Sequence, residues 1–311
     1  MGYGFGWKLL AGALTPIWSG YELSYFLFTD STGAEYRLEV NEGGVWRSRQ
    51  GVYVYYDTNT ARLNFPDGSH WYMNAVSSAG EPDGGSRYPT LMRDTNGNEV
   101  RIRYAQGAGA SWSDTSARIL SIEDVRAIVS GTLQLPTYSF TYSTGAIPHL
   151  VSIANIIATA ENYSFAYLPG QALTSPFSPA QSFGTTDLLT NLTFSNLGAG
   201  YAFEYAGGAG EMSRATFPYG GALRYAYRTA GFAGSRSTRE VQTRYLVKSV
   251  GAAETSVSFQ HDDSGDTGRP FHAWTRLMED IASFQNLWTF SLTAGTSYGL
   301  NTRYDENNGG G

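Results

Sequence analysis

Cysteine is missing from the chain and lysine nearly so, with only Lys8 and Lys248 among 21 basic residues. Without cysteine there is no disulfide staple and no thiolate metal site, and the redox compartment stays open. Charge is sparse as well. Asp, Glu, Lys and Arg make up 15% of 311 residues, and 27 acidic against 21 basic side chains give a formal charge of −6. A broad positive field of the kind that neutralises phosphates is therefore not expected, and nucleic acid is excluded as a partner. No apolar run reaches the roughly 18 residues of a membrane-spanning helix, so no span is read. Lys, Glu and Leu at helical spacing are too scarce for a helical bundle, and aromatics at 14% are too many for a disordered chain. The N-terminal stretch MGYGFGWKLLAGALTPIW lacks the longer apolar core that a signal peptide places after its charge. Its Pro16 and early Gly and Trp residues predict a strand and turn.

What the chain does have is 22 Tyr, 16 Phe, 7 Trp and 37 Gly. The aromatics alternate. Tyr36, Leu38 and Val40 interleave with Glu35, Arg37 and Glu39, and Val100, Ile102 and Tyr104 interleave with Arg101 and Arg103. YSFTYS (138–143), YSFAY (163–167) and YAFEY (201–205) place aromatics at every second position, and LRYAYR (223–228), SVSFQ (256–260) and TFSLT (289–293) repeat the scheme. Period two puts each set on one face of a strand. Between such runs lie Asp30-Ser31-Thr32-Gly33, Pro66-Asp67-Gly68, Asp94-Thr95-Asn96-Gly97 and Pro218-Tyr219-Gly220-Gly221. Gly and Asn supply positive φ and Asp bonds its own backbone, so these segments predict hairpin turns. The expected fold is all-β: an array of short strands joined by antiparallel hairpins. All-β chains of this length often form one unit, so residues 1–311 read as one continuous region with a possible sub-boundary near 106–117.

The array repeats itself. DTNTARLNF from Asp57 aligns with DTNGNEVRIRY from Asp94, and Asp30 stands to Asp67 at the same offset. A second unit runs from a small apolar group through a loop to an aromatic strand: ILSI (119–122) to YSFTY, LVSI (150–153) to YSFAY, LTNLTF (189–194) to YAFEY, and LVKSV (246–250) to SVSFQ. Self-similarity of this kind marks repeat architectures.

Tyr56-Asp57 followed by Arg62-Leu63 and Asp67-Gly68 resembles the degenerate Tyr-Asp, Gly-Arg-Leu, Asp-x-x-Gly unit of the Rhs (rearrangement hotspot) and YD-repeat proteins. Asp94 and Gly97 recur in the related unit, and Tyr304-Asp305 with Gly309 resembles the opening of another. Gly4-Phe5-Gly6-Trp7 is similar to the Gly-x-Gly-Trp segment that often precedes such arrays. The chain departs from the pattern in having Ala61-Arg62-Leu63 where the family has Gly-Arg-Leu, and in lacking a clean tandem run. The resemblance implies an antiparallel β-hairpin and meander repeat array forming a long curved or coiled, shell-like sheet, part of a longer exported protein that encloses or displays a C-terminal toxin-like module. It further implies a secreted or cell-surface location, with the rest of the parent polypeptide as partner. The family's autoproteolytic segment and a toxin module are not recognised here.

Chemistry is thin. Asp262, Ser264 and Asp266 could open a calcium loop, but its twelfth position falls at Ala273 where a bidentate Glu is expected, and an Asp-stabilised turn is the simpler reading. Glu123-Asp124 and Glu279-Asp280 are adjacent on strands and point to opposite faces; charged hairpin positions, or ion pairs with Arg118, Arg126 or Arg276, account for them. His70, His149, His261 and His272 show no metal-ligand spacing, so a zinc site would have to assemble through space. His70, beside Trp71, reads as an exposed or half-buried strand position. No Gly-x-Ser-x-Gly elbow and no phosphate loop occurs; Gly-rich AGGAG (206–210) reads as a turn. No catalytic residue, cofactor or metal ligand is assigned. Trp7, Trp18, Trp46, Trp71, Trp112, Trp274 and Trp288 could stack on sugars, which makes a carbohydrate-binding domain of a cell-surface protein, with glycans as partner, the alternative to a structural array.

Overall fold

The computed structural model describes residues 2–291 apart from 10, 125–127, 130, 131, 134, 135, 146, 158–160, 262–265, 282 and 283. Almost every element is a β-strand, every strand pairing given below is antiparallel, and among the described residues no helix is long and apolar enough to cross a membrane. The chain divides into two compact units, Met1–Phe165 with Phe194–Asn196, and Ala166–Thr193 with Leu197–Gly311. The 106–117 segment lies inside the first.

The first unit contains two large sheets, besides a two-stranded hairpin of Ile128–Val129 and Thr132–Leu133. One has five strands in the order Glu35–Leu38, Glu22–Thr29, Ala13–Ser19, Arg87–Tyr88, Ala75–Val76. The strand expected near the N-terminus is Ala13–Ser19, which carries Pro16. The other sheet is a meander through Val40–Glu42, Val45–Arg47, Tyr55–Asp57, Arg62–Asn64 and His70–Tyr72. It resumes with Leu91–Arg93, Glu99–Tyr104, Ile119–Glu123, Tyr138–Tyr142 and Leu150–Asn155. The gap in sequence is the excursion that contributes Ala75–Val76 and Arg87–Tyr88 to the five-stranded sheet.

Aromatic side chains join the sheets. Phe26 meets Trp46 edge-on at 5.3 Å and Tyr56 at 5.1 Å, while Phe28 meets Trp71 at 5.9 Å. Leu14, Phe26, Phe28, Leu38, Trp46, Val54, Tyr56, Leu63 and Met73 form one core cluster. A second gathers around Tyr3, Tyr88, Ile102, Tyr104, Ile119, Phe140 and Leu150. Alternation holds residue by residue: Ile102 and Tyr104 are buried while Arg101 and Arg103 are exposed. Several tyrosines of the stripes also use their hydroxyls. Tyr142 donates to the Ile119 carbonyl at 3.0 Å, and Tyr104 to that of Pro89 at 3.0 Å. An amphipathic ring thus buries area and satisfies a neighbouring backbone oxygen. Burial pushes the Tyr104 and Tyr88 hydroxyls well above their ordinary pKa.

The second unit holds most of Asn162–Thr174 and Ser182–Phe194, followed by a meander of Ala199–Ala206, Glu211–Thr216, Ala222–Phe232, Arg236–Val247, Glu254–His261, Trp274–Ile281 and Phe284–Ser291. Its tyrosines bond in the same way, Tyr227 to the Met212 carbonyl at 2.6 Å and Tyr205 to that of Leu189 at 2.7 Å. The two clusters above lie in the first unit; here Phe203, Ala222, Ala230 and Phe232 are buried, and most described residues of these strands are half-buried.

All four expected turn segments link paired strands. Phe217 N–H donates to the Gly221 carbonyl at 2.8 Å, and Gly220 N–H donates to that of Phe217 at 2.9 Å. Of the loop-containing repeats, Ile119–Glu123 with Tyr138–Tyr142, Leu150–Asn155 with Asn162–Thr174, and Arg236–Val247 with Glu254–His261 are antiparallel pairs.

Candidate functional site

The repeat-motif residues divide between core and turn. Tyr56 and Leu63 are fully buried, and Arg62 lies over the Tyr72 ring at 5.9 Å. The four aspartates share one geometry: each Oδ1 accepts from the backbone N–H two residues on. Asp30 accepts from Thr32 at 2.8 Å, Asp57 from Asn59 at 2.9 Å, Asp67 from Ser69 at 2.9 Å and Asp94 from Asn96 at 2.8 Å. Hydrogen bonding holds all four carboxyls below their ordinary pKa, chiefly from the side chains of Thr32, Thr60, Ser69 and Asn98 respectively. Gly68 and Gly97 have φ of +88° and +84°. Ala61, where the resemblance to Rhs/YD repeats leads to an expectation of glycine, has φ +52°, a left-handed conformation costly for a residue with a Cβ. Tyr304, Asp305 and Gly309 lie outside the described residues.

The other candidates resolve into structural contacts. Glu123 pairs with Arg103 at 2.7 Å, and Asp124 accepts from the Thr137 hydroxyl at 2.8 Å. Arg118 instead reaches Glu81, its Nη1 and Nη2 donating to the two carboxylate oxygens at 3.0 and 2.8 Å. The side chains of Glu279 and Asp280, together with Arg126, lie outside the described residues. His70 is half-buried, edge-on to Tyr72 at 5.5 Å. Among the tryptophans, Trp46 is buried and Trp71 packs against the same cluster, whereas Trp18 and Trp112 are 58% and 68% exposed. Trp288 lies outside the described side chains.

A set of titratable groups that sequence spacing does not reveal comes together in the second unit. Arg228 is registered with Glu240 across adjacent strands, and His261 with Thr275. Glu240 and His261 lie equally far back from the Val247↔Glu254 pair of the intervening hairpin, so the register brings them level. His261 Nε2 is 3.3 Å from Glu240 Oε2. His272, in the segment before Trp274–Ile281, stacks on His261 with ring centroids 3.7 Å apart and planes at 23°, and Phe232 covers it edge-on at 4.9 Å. Its Nε2 is 2.8 Å from Glu240 Oε2, and its Nδ1 is 2.5 Å from Asp266 Oδ2. Asp266, 1% exposed, also accepts from Ala273 N–H at 3.2 Å. Its carboxylate is thus engaged by a histidine and a backbone amide; residues 262–265 of the expected calcium loop lie outside the described residues. His261 Nδ1 is 3.0 Å from the Thr275 hydroxyl, and Arg228 Nη2 is 3.5 Å from Glu240 Oε2. One donor atom from each of Glu240, His261 and His272 falls within 4.8 Å of the others, a set able to hold a metal ion. Hairpin register is the signal that could have found Glu240 and His261; nothing in the spacing indicates His272.

Fold and site together define an all-β antiparallel meander protein with one half-buried histidine and carboxylate cluster. No family model matches the chain, and no curated protein does. Solved structures that are similar in part include the following two. One is the N-terminal domain of effector protein SpvB from Salmonella typhimurium strain LT2, with a TM-score of 0.30 and 12% identity over 84% of this chain and 90% of that one. The other is TcdB2-TccC3-Cdc42, with a TM-score of 0.29 and 10% identity over 98% of this chain and 17% of that one. Overlap this low does not decide function, which is argued from the residues of this chain.

Proposed function

We propose that the chain is a structural segment of an exported Rhs/YD-like protein, contributing to a β shell that encloses or displays another module. The half-buried state of the second unit's strands carries this reading. A seven-strand meander rich in Tyr, Phe and Arg, in which most described residues are half-buried and none belongs to the two clusters above, has apolar surface left to place against further polypeptide. The shared aspartate geometry at four turns supports a repeat built to extend a sheet. Secretion or surface display belongs to the same proposal.

Hydrogen exchange tests it. In the isolated chain, amides of Ala222–Phe232 and Arg236–Val247 should exchange faster than those of Tyr55–Asp57 and Glu99–Tyr104, and should gain protection when the flanking polypeptide is co-expressed. Equal protection in the isolated chain, unchanged by the flanking polypeptide, would sink the reading.

A further inference from the structure

We propose that Glu240, His261 and His272 bind one divalent transition-metal ion of the zinc class, clipping together three segments of the second unit. Two ligands about 2.0–2.1 Å from one tetrahedral ion stand ~3.4 Å apart. His261 Nε2 and His272 Nε2 lie 3.3 and 2.8 Å from the same oxygen, Glu240 Oε2, so small movements open the required space. Both rings are held through Nδ1, His261 at the Thr275 hydroxyl and His272 at the Asp266 carboxylate. This directs both Nε2 atoms to the carboxylate, and a histidine that donates its other N–H to a carboxylate is the usual supporting arrangement around zinc.

The two rings stack with centroids 3.7 Å apart, and a neutral imidazole is the form that ligates a metal. Their lone pairs run nearly side by side, so seating the ion turns the rings apart about their Nδ1 anchors. Two imidazoles and one carboxylate suit zinc and its first-row neighbours, not calcium or magnesium. Arg228 competes for Glu240 at 3.5 Å, and the negative charge of Asp266 offsets it. The bound ion would join Arg236–Val247, Glu254–His261 and the segment before Trp274. That supplies cross-strand fixing in strands whose described residues are mostly half-buried.

The test uses the full chain after treatment with a chelator. Isothermal titration should show one zinc per chain, with no uptake of calcium or magnesium, and cobalt(II) should develop the visible bands of a nitrogen and oxygen site of low coordination number. His261→Gln and His272→Gln should each abolish the bands, Asp266→Asn should weaken binding by about 10–100-fold, and His70→Gln and His149→Gln should leave it unchanged. A folded wild-type chain that takes up no zinc and gives no cobalt bands overturns the proposal even where variants fail to fold. So does binding that survives the double replacement of His261 and His272, or that is lost with His70 or His149.

Discussion

Replacing Arg118 by methionine should destabilise the first unit by about 3–5 kcal/mol, the usual effect of removing one partner from a buried ion pair. Arg118 and Glu81 have side chains 11% and 5% exposed and meet through two parallel bonds. Arg118→Met leaves the Glu81 carboxylate with the Ala108 N–H at 2.8 Å as its remaining bond among those described. The loss follows from desolvation of a charge without its counter-charge. Glu81→Gln retains an acceptor for Ala108 and for one guanidinium N–H, so it should cost less, about 1.5–3 kcal/mol for one charge-assisted bond. The double variant, with amide facing thioether, should be less destabilised than the two single effects added, giving a coupling of about 0.5–3 kcal/mol. Urea unfolding followed by tryptophan fluorescence measures all four corners of this cycle. Its pH dependence has a fixed sign. Burial alone would raise the Glu81 carboxyl, but the bonds from Arg118 and Ala108 outweigh burial and the net shift is downward. Stability from the pair is therefore present above the ordinary carboxylate pKa and is lost as pH falls through the lowered folded value. The gap between wild type and Glu81→Gln should close on acidification. Single losses below about 1 kcal/mol, or additivity within about 0.5 kcal/mol, would refute the reasoning.

Leu63→Ala, at a fully buried position facing Tyr56 across a hairpin, should cost about 2–5 kcal/mol in urea unfolding. Ala61→Gly should stabilise by ~1 kcal/mol, because relief of a left-handed Cβ is worth about 1–2 kcal/mol and the added freedom of the unfolded glycine takes back about 0.4–1; a lower unfolding midpoint would contradict this. The downward shifts at Asp30, Asp57, Asp67 and Asp94 mean that their contribution holds above the ordinary carboxylate range and drains away below it. A variant with all four changed to Asn, which keeps an acceptor oxygen at each turn, should lose midpoint less steeply between pH 5 and pH 3 in thermal unfolding.

Alternation and turn chemistry made the strands readable in advance, because each is written in a few consecutive residues. Arg101 and Arg103 against Ile102 and Tyr104, or Asp94 ahead of Gly97, need no distant partner to be interpreted. Pairing across long stretches of chain was not readable in that way. The Leu14↔Arg87 register, which seats one strand of the five-stranded sheet beside another, and the Glu81–Arg118 pair are settled by packing. The Glu240, His261 and His272 cluster was hidden for the same reason, although half of it follows once the hairpin register is known. Ala61 shows the reverse case. The departure from the Gly-Arg-Leu that the resemblance suggests was visible in the letters, and the positive φ of Ala61 is a conformation suited to glycine.

In the meander of the second unit, each described ladder joins a strand to its immediate successor in the chain. Contacts of such short sequence separation carry little loop-closure entropy, and hairpins form in about 1–10 μs. With no cysteine to re-pair, the unfolded chain can rebuild this region hairpin by hairpin, each ladder needing only the strand before it.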